Sequence, residues 1–194
     1  MSTAVRLVRF RPSARTTRAG ARILDPLDRV YRHAGLEPPE ARAIAADALP
    51  EPQRTLLVHD SDMTQTLERH IGEPVVIRPL STALRGRWYV RRVLLARASS
   101  GRPVEMGTIR IAVDVFSARI RTQILRGEAP LGRIVREAGL DYKSRPLRFL
   151  AITPNPEMLG VFWMPEPVTL YGRQTVVMLN GAKIGQVLEV LPLL

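Results

Sequence analysis

Cysteine is absent from the 194 residues, which excludes a disulfide scaffold, a thiolate metal site and a cysteine nucleophile. No run of about 18 apolar residues occurs, so a membrane-spanning helix is excluded. Phosphate-loop, dinucleotide and zinc signatures are missing, and Gly160 and Gly172 stand isolated. The serines lack a Gly-x-Ser-x-Gly elbow, so hydrolase chemistry has no support. Histidine is scarce: His33, His59 and His70 lie far apart with no partner at ligand spacing, and read as surface or capping residues. Lysine is nearly absent, since 27 of the 29 basic residues are arginine. What remains is ordinary globular material, 45% hydrophobic and 24% charged. A chain of this length folds as one domain and buries roughly 70% of its unfolded surface, enough for a core without staples.

The net charge is +11, which taken alone suggests a nucleic-acid partner. Its distribution says otherwise. Residues 1–22 hold six arginines (Arg6, Arg9, Arg11, Arg15, Arg18 and Arg22) and no acid, so more than half of the excess sits in an N-terminal arm. A solvated tail is the simplest reading of that arm. A polyanion-binding arm or a cleaved organelle transit peptide also fits its composition, and Val5–Phe10, where arginine alternates with apolar residues, could be a docked edge strand. The arm lacks the apolar centre of a secretory signal, so export is not expected. The organisation expected is therefore a basic arm, 1–22, and a single domain, 23–194, in the cytoplasm.

Punctuation by proline and glycine divides the body. A helix is expected from Asp25-Pro26 through His33, ended by Gly35, and another over the Ala-rich stretch Glu40–Leu49. A third follows His59-Asp60-Ser61-Asp62, which offers capping side chains, and closes at Gly72. Strands are expected at Val75–Leu80, Arg87–Ala96 and Pro103–Val113, then short helices at Ser117–Arg126 and Leu131–Ala138. Strands resume at Arg145–Thr153, Val168–Leu179 and Ala182–Leu191, and Asn180-Gly181 between the last two signals a tight hairpin. The Pro-rich stretch Pro154–Pro167 reads as an irregular excursion. The order implies an α+β fold on one largely antiparallel sheet of about six strands.

Two charges are oddly placed. Glu189 is the only ionisable side chain in Ile184–Leu194, with apolar neighbours on both parities, as in a strand covered on both faces. A carboxylate there is buried, and without a partner it costs several kcal/mol or keeps its proton. Arg91 shares its parity with Tyr89, Val93 and Leu95, which turns the guanidinium inward. On one reading the two pair with each other or reach out at strand edges. On another they line a cavity, the arginine binding an anion, for which its planar fork suits a carboxylate. Periodicity leaves both open.

Five short pieces occur in a fixed order: Asp60-Ser61-Asp62-Met63-Thr64, Arg87-Trp88-Tyr89-Val90-Arg91, Pro130-Leu131-Gly132-Arg133, Tyr171-Gly172-Arg173 and Leu188-Glu189-Val190-Leu191-Pro192. In order and spacing, over roughly residues 55–194, the chain resembles the chorismate lyase (chorismate pyruvate-lyase) family. The resemblance implies a six-stranded antiparallel sheet with helical flaps over an internal cavity. It implies conversion of chorismate to 4-hydroxybenzoate and pyruvate without metal or organic cofactor. By position, Arg91 matches the arginine that grips the ring carboxylate, and Leu131 the residue whose backbone N–H supports it. Glu189 matches the carboxylate facing the ring hydroxyl, and Met63 a backbone N–H near that hydroxyl. Arg133 and Arg173 are candidates for the enolpyruvyl carboxylate. Arg92 follows Arg91 where many members carry an acid.

The expectation is thus a carbon–oxygen lyase, a monomer acting on chorismate with no membrane or nucleic-acid partner. The alternative is a non-catalytic, small-molecule effector-binding domain, because the same sheet is similar to that of some bacterial transcription regulators. Nucleic-acid binding through the arm, with a steep salt dependence, stands as a third reading.

Overall fold

The computed structural model describes residues 23–193; the basic arm, and with it the possible edge strand at Val5–Phe10, lies outside the described residues. Seven strands, β1 (Glu40–Ile44), β2 (Val75–Arg85), β3 (Trp88–Arg97), β4 (Pro103–Ala112), β5 (Tyr142–Thr153), β6 (Leu170–Leu179) and β7 (Ala182–Leu191), form one sheet. Its order is β1-β5-β6-β7-β4-β3-β2, and every neighbouring pair is antiparallel. Six helices cover it: α1 (Leu27–His33), α2 (Gln53–Leu57), α3 (Met63–Ile71), α4 (Ala118–Arg126), α5 (Leu131–Glu137) and α6 (Pro156–Val161).

The α+β antiparallel expectation holds, with two corrections. The sheet has seven strands because Glu40–Ile44, expected to be helical from its alanines, extends as β1 against β5, pairing Ala41 with Ile152 and Ala43 with Leu150. Alanine favours a helix weakly, and an open edge on β5 offers backbone hydrogen bonds to a strand, so tertiary pairing overrides propensity. Pro154–Pro167 is not wholly irregular: Asn155 accepts a hydrogen bond from the Met158 amide and starts α6, with Pro156 in its first turn. The α3 boundaries follow the sequence signals, Asp62 capping the Gln65 amide at 3.0 Å and Gly72 turning left-handed at φ +74°. At the β6–β7 turn Asn180 and Gly181 both have positive φ, 48° and 78°, as a type I′ hairpin requires.

Strand alternation sends successive side chains to opposite faces, and the two faces are filled differently. On one, α1 and α6 lay Leu27, Tyr31, Met158 and Phe162 over Leu94, Met106, Leu150, Leu188 and Val190 in a continuous apolar core. On the other, two apolar clusters stand apart. One groups Ile124, Leu131 and Ile134 of α4 and α5 with Ile111 and Val177. The second groups Leu56, Leu57, Met63 and Leu67 of α2 and α3 with Leu95 and Leu191. A cavity lies where these two clusters fail to meet.

Candidate functional site

The floor of the cavity is built by three adjacent strands. Arg91, Val93 and Leu95 of β3, Glu105, Gly107 and Ile109 of β4, and Val187 and Glu189 of β7 all face it. The ladders set Arg91 opposite Ile109 and Gly107 opposite Glu189. Tyr142 adds a polar group, and the starts of α3 (Asp62, Met63) and α5 (Pro130, Leu131, Gly132) form the roof. The cavity volume is about 90 Å³, some six to nine times the ~10–15 Å³ that one water needs by the same measure, so a small organic molecule fits. A second hollow between α3 and α5 shares Ser61, Asp62, Gly132, Tyr142 and Ser144 with the first. The contact between the two helix starts is therefore the partition between cavity and surface. Gly132 makes that contact close: a Cβ there would stand 1.6 Å from Asp62 Oδ2.

Arg91 is 4% exposed. Its Nη1 donates to the Ala129 carbonyl at 3.1 Å, while Nε is buried with no partner. Burial pulls its pKa down, and no carboxylate among its neighbours opposes that. A guanidinium does not deprotonate in a protein, so the cavity holds a permanent cation with unused donors. Tyr89, on the same side of β3, also has a buried hydroxyl without a partner, and burial raises its pKa.

Glu189 does not pair with Arg91. Its partner is Arg173, the largest fully buried side chain, which meets the carboxylate through Nε and Nη2. The same guanidinium donates from Nη1 to the carbonyls of Leu57 at 3.1 Å and His59 at 2.7 Å, fastening the α2–α3 connection beneath the roof. Thr175 Oγ1 lies 3.4 Å from the Glu189 carboxylate as a further donor. Burial, helped by the nearby Arg173 charge, pulls the pKa of His59 down.

Of the residues singled out from sequence, Arg91, Glu189, Met63 and Leu131 are brought together around one cavity. Arg133 and Arg173 are not among those lining it. Arg173 is spent on Glu189 and two peptide carbonyls, and Arg133, its side chain 40% exposed, stands outside, 3.6 Å from Glu68. Arg92 turns to the opposite face and grips Glu157 through two bonds of 2.7 and 2.6 Å.

Sequence reasoning missed Glu105. It is 4% exposed, Oε2 has no partner, and burial, reinforced by the Glu189 charge, pushes its pKa well above the ordinary carboxylate range. The signal was of the same kind as for Glu189: a single acid between the apolar Val104 and Met106.

No family model matches the sequence, and no curated protein matches it either. Solved structures do match in shape. PhnF from Mycobacterium smegmatis superposes with a TM-score of 0.50 at 13% identity, over 69% of this chain and 64% of that one. A PhnF C-terminal domain gives 0.46 at 13% identity, over 62% of this chain and 84% of that one. The ligand-binding domain of a protein assigned as a GntR-family transcriptional regulator of Bordetella bronchiseptica gives 0.44 at 17%, over 61% and 85%. The likeness carries the fold and nothing finer. That fold is the chorismate lyase-like antiparallel sheet. Among the described residues no helix is long and apolar enough to cross a membrane.

Proposed function

We propose that this domain binds a small monocarboxylic acid in the cavity between α3, α5 and the sheet, with the acid's carboxylate on Arg91. The observation that carries this reading is the buried Arg91 guanidinium, whose Nε has no partner and which forms no ion pair among the described residues. A buried cation left uncompensated costs several kcal/mol, and an anionic ligand returns that energy as affinity. Glu189, paired with Arg173, is available to accept a hydrogen bond from a hydroxyl at the other end. The ligand class is therefore an aromatic or cyclic acid bearing a hydroxyl, of which 4-hydroxybenzoate is the simplest form. Binding without turnover is favoured by the charge count. Arg91 is the only cationic side chain lining the cavity among the described residues, whereas chorismate carries two carboxylates.

Turnover as a chorismate pyruvate-lyase is the second reading, favoured by the arrival of Arg91, Glu189, Met63 and Leu131 around one cavity. In that reaction the ether C–O bond to the enolpyruvyl group breaks. The bond broken is the one from the ring carbon to the ether oxygen. The neighbouring ring carbon, which bears the hydroxyl, gives up its hydrogen as a proton. The methylene carbon of the departing enolpyruvate takes one up to become the methyl of pyruvate, and the ring becomes aromatic. Aromatisation supplies the driving force, so the protein's work is to orient and desolvate. The Leu131 amide opens α5, whose first turn has no side-chain cap, leaving N–H groups for the carboxylate.

One experiment separates the readings. The protein is incubated with chorismate while 4-hydroxybenzoate and pyruvate are followed by chromatography, and 4-hydroxybenzoate is titrated in parallel by calorimetry. Binding without product above the spontaneous background supports the binding module. Equal release of both products, lost in Arg91→Ala, establishes the lyase. Folded protein that neither binds 4-hydroxybenzoate nor acts on chorismate defeats both.

A further inference from the structure

Glu105 stands at the opposite end of the cavity from Arg91. The β3–β4 ladder sets Arg91 opposite Ile109 and Leu95 opposite Glu105, and four residues of strand span about 13 Å. The carboxyl is nearly sealed from solvent, lines the cavity and leaves Oε2 without a hydrogen-bond partner. It sits against Gly107, where a Cβ would stand 3.0 Å from Oε1, so the bare backbone at 107 gives the carboxyl its place.

The groups around it decide what it can do. Glu189 of β7 lies across Gly107, and its charge and that of Asp62 at the start of α3 both act against a negative Glu105. Arg173 of β6 is the one nearby cation that favours ionisation, but its donors are occupied by Glu189, Leu57 and His59. Tyr142 of β5, whose own pKa is raised by burial and by Glu189 and Asp62, brings no positive charge. Arg91 is far along the strand. Two carboxylates in one dry site cannot both ionise cheaply, and Glu189 has the arginine. Glu105 is left as the proton holder, and a protonated carboxyl is a donor, which an ionised one is not.

We propose that Glu105 is a ligand-binding residue of this cavity, donating a hydrogen bond from its neutral carboxyl to an oxygen at the end of the acid remote from Arg91. Resting on the acid-binding reading above, this narrows the ligand class: the acid carries a hydroxyl, ether or carbonyl oxygen at its far end. Where that oxygen is a hydroxyl, Glu189 and Glu105 form a complementary pair, one accepting from it and the other donating to it.

The test compares the wild type with Glu105→Gln, a neutral donor of the same shape, and Glu105→Ala, titrating 4-hydroxybenzoate and benzoate from mildly acidic to alkaline pH. The expected result is that Glu105→Ala weakens 4-hydroxybenzoate by about tenfold and benzoate much less. Glu105→Gln keeps the affinity and removes the loss of binding that the wild type shows as pH rises. Equal weakening by both variants, or none by either, overturns the donor role. Difference infrared spectra of the ligand-free protein supply an independent readout: a protonated-carboxyl band at neutral pH, gone in Glu105→Gln. Its absence from the wild type overturns the proposal whatever binds. A band present with neither acid bound sinks the acid-binding reading and the donor role with it, while the charge state stands.

Discussion

Arg91 and Arg92 are adjacent in sequence and both buried, yet strand alternation gives them opposite fates. Arg92 enters the face covered by α1 and α6, where Glu157 meets it with two short hydrogen bonds and the Tyr31 ring lies 5.1 Å beneath it. Arg91 enters the face covered by α3 and α5, where one peptide carbonyl is its hydrogen-bond partner. The first is a finished structural contact. The second is an unfinished one, a buried guanidinium with an unused donor beside a cavity. Chemically identical side chains thus mark which face is core and which is site, by what the protein has left undone around them.

The sharpest way to strain this comparison is on the cavity face itself, at its one completed ion pair. Arg173→Met leaves the Glu189 carboxylate buried without its cation. Stripping one partner from a buried pair costs about 3–5 kcal/mol. It also frees the Leu57 and His59 carbonyls that hold the α2–α3 connection. Chemical denaturation should show that loss. A variant as stable as the wild type would mean that Arg173 is not structural and is available to a ligand.

Next come the two neighbours. Arg92→Met removes charge-assisted bonds to the half-buried Glu157 and should cost about 1.5–3 kcal/mol. Arg91→Met removes an unpaired buried charge and should do the reverse. It should gain about 1–2 kcal/mol, or roughly 2–8 °C in melting temperature, while abolishing acid binding. The opposite signs are the test: two losses of equal size would show that Arg91, too, is a structural residue.

Smaller again is the pH slope set by Glu105. Its folded pKa is raised above the unfolded value, so its contribution to stability is fully present at acidic pH, below the ordinary carboxylate range. That contribution is lost as pH rises through the folded value. Glu105→Gln should therefore melt higher than the wild type at alkaline pH and show a flatter dependence. Parallel curves would place an ionised Glu105 in the folded protein.

The strands were legible because alternation and turn chemistry agree locally: Arg87–Ala96, Pro103–Val113 and Ala182–Leu191 differ from β3, β4 and β7 by one residue at one or both ends, or by none. Arg91 and Glu189 were legible as charges where the pattern demands apolar residues. That Glu189 belongs to Arg173 was not, because the pairing depends on the β6–β7 register, which sets those two residues opposite each other, and periodicity carries no register. β1 was read as helix because its alanines speak only to local propensity. α2 and α6, of five and six residues, are too short to show a period, and the prolines flanking them read as loop. Glu105 was visible by the rule that found Glu189. The polar Thr108 and Arg110 on its strand blurred the contrast.

The smallest effect contrasts two glycines, each in a helix, one over each face. Gly160 of α6 has open space where a Cβ would be, so Gly160→Ala should stabilise by the ordinary helical preference, about 0.5–1 kcal/mol. Gly132 of α5 carries the same preference, but its Cβ would collide with Asp62 Oδ2. Asp62 cannot yield freely, because Oδ1 caps the Gln65 amide, and losing a cap costs about 1 kcal/mol. The two contributions in Gly132→Ala nearly cancel, leaving a stability change close to zero. The partition between cavity and surface is nonetheless pushed apart, so a bound acid should leave faster. Stopped-flow displacement measures that rate, and unchanged dissociation alongside a full stabilisation by Ala would show that the meeting of α3 and α5 does not gate the cavity.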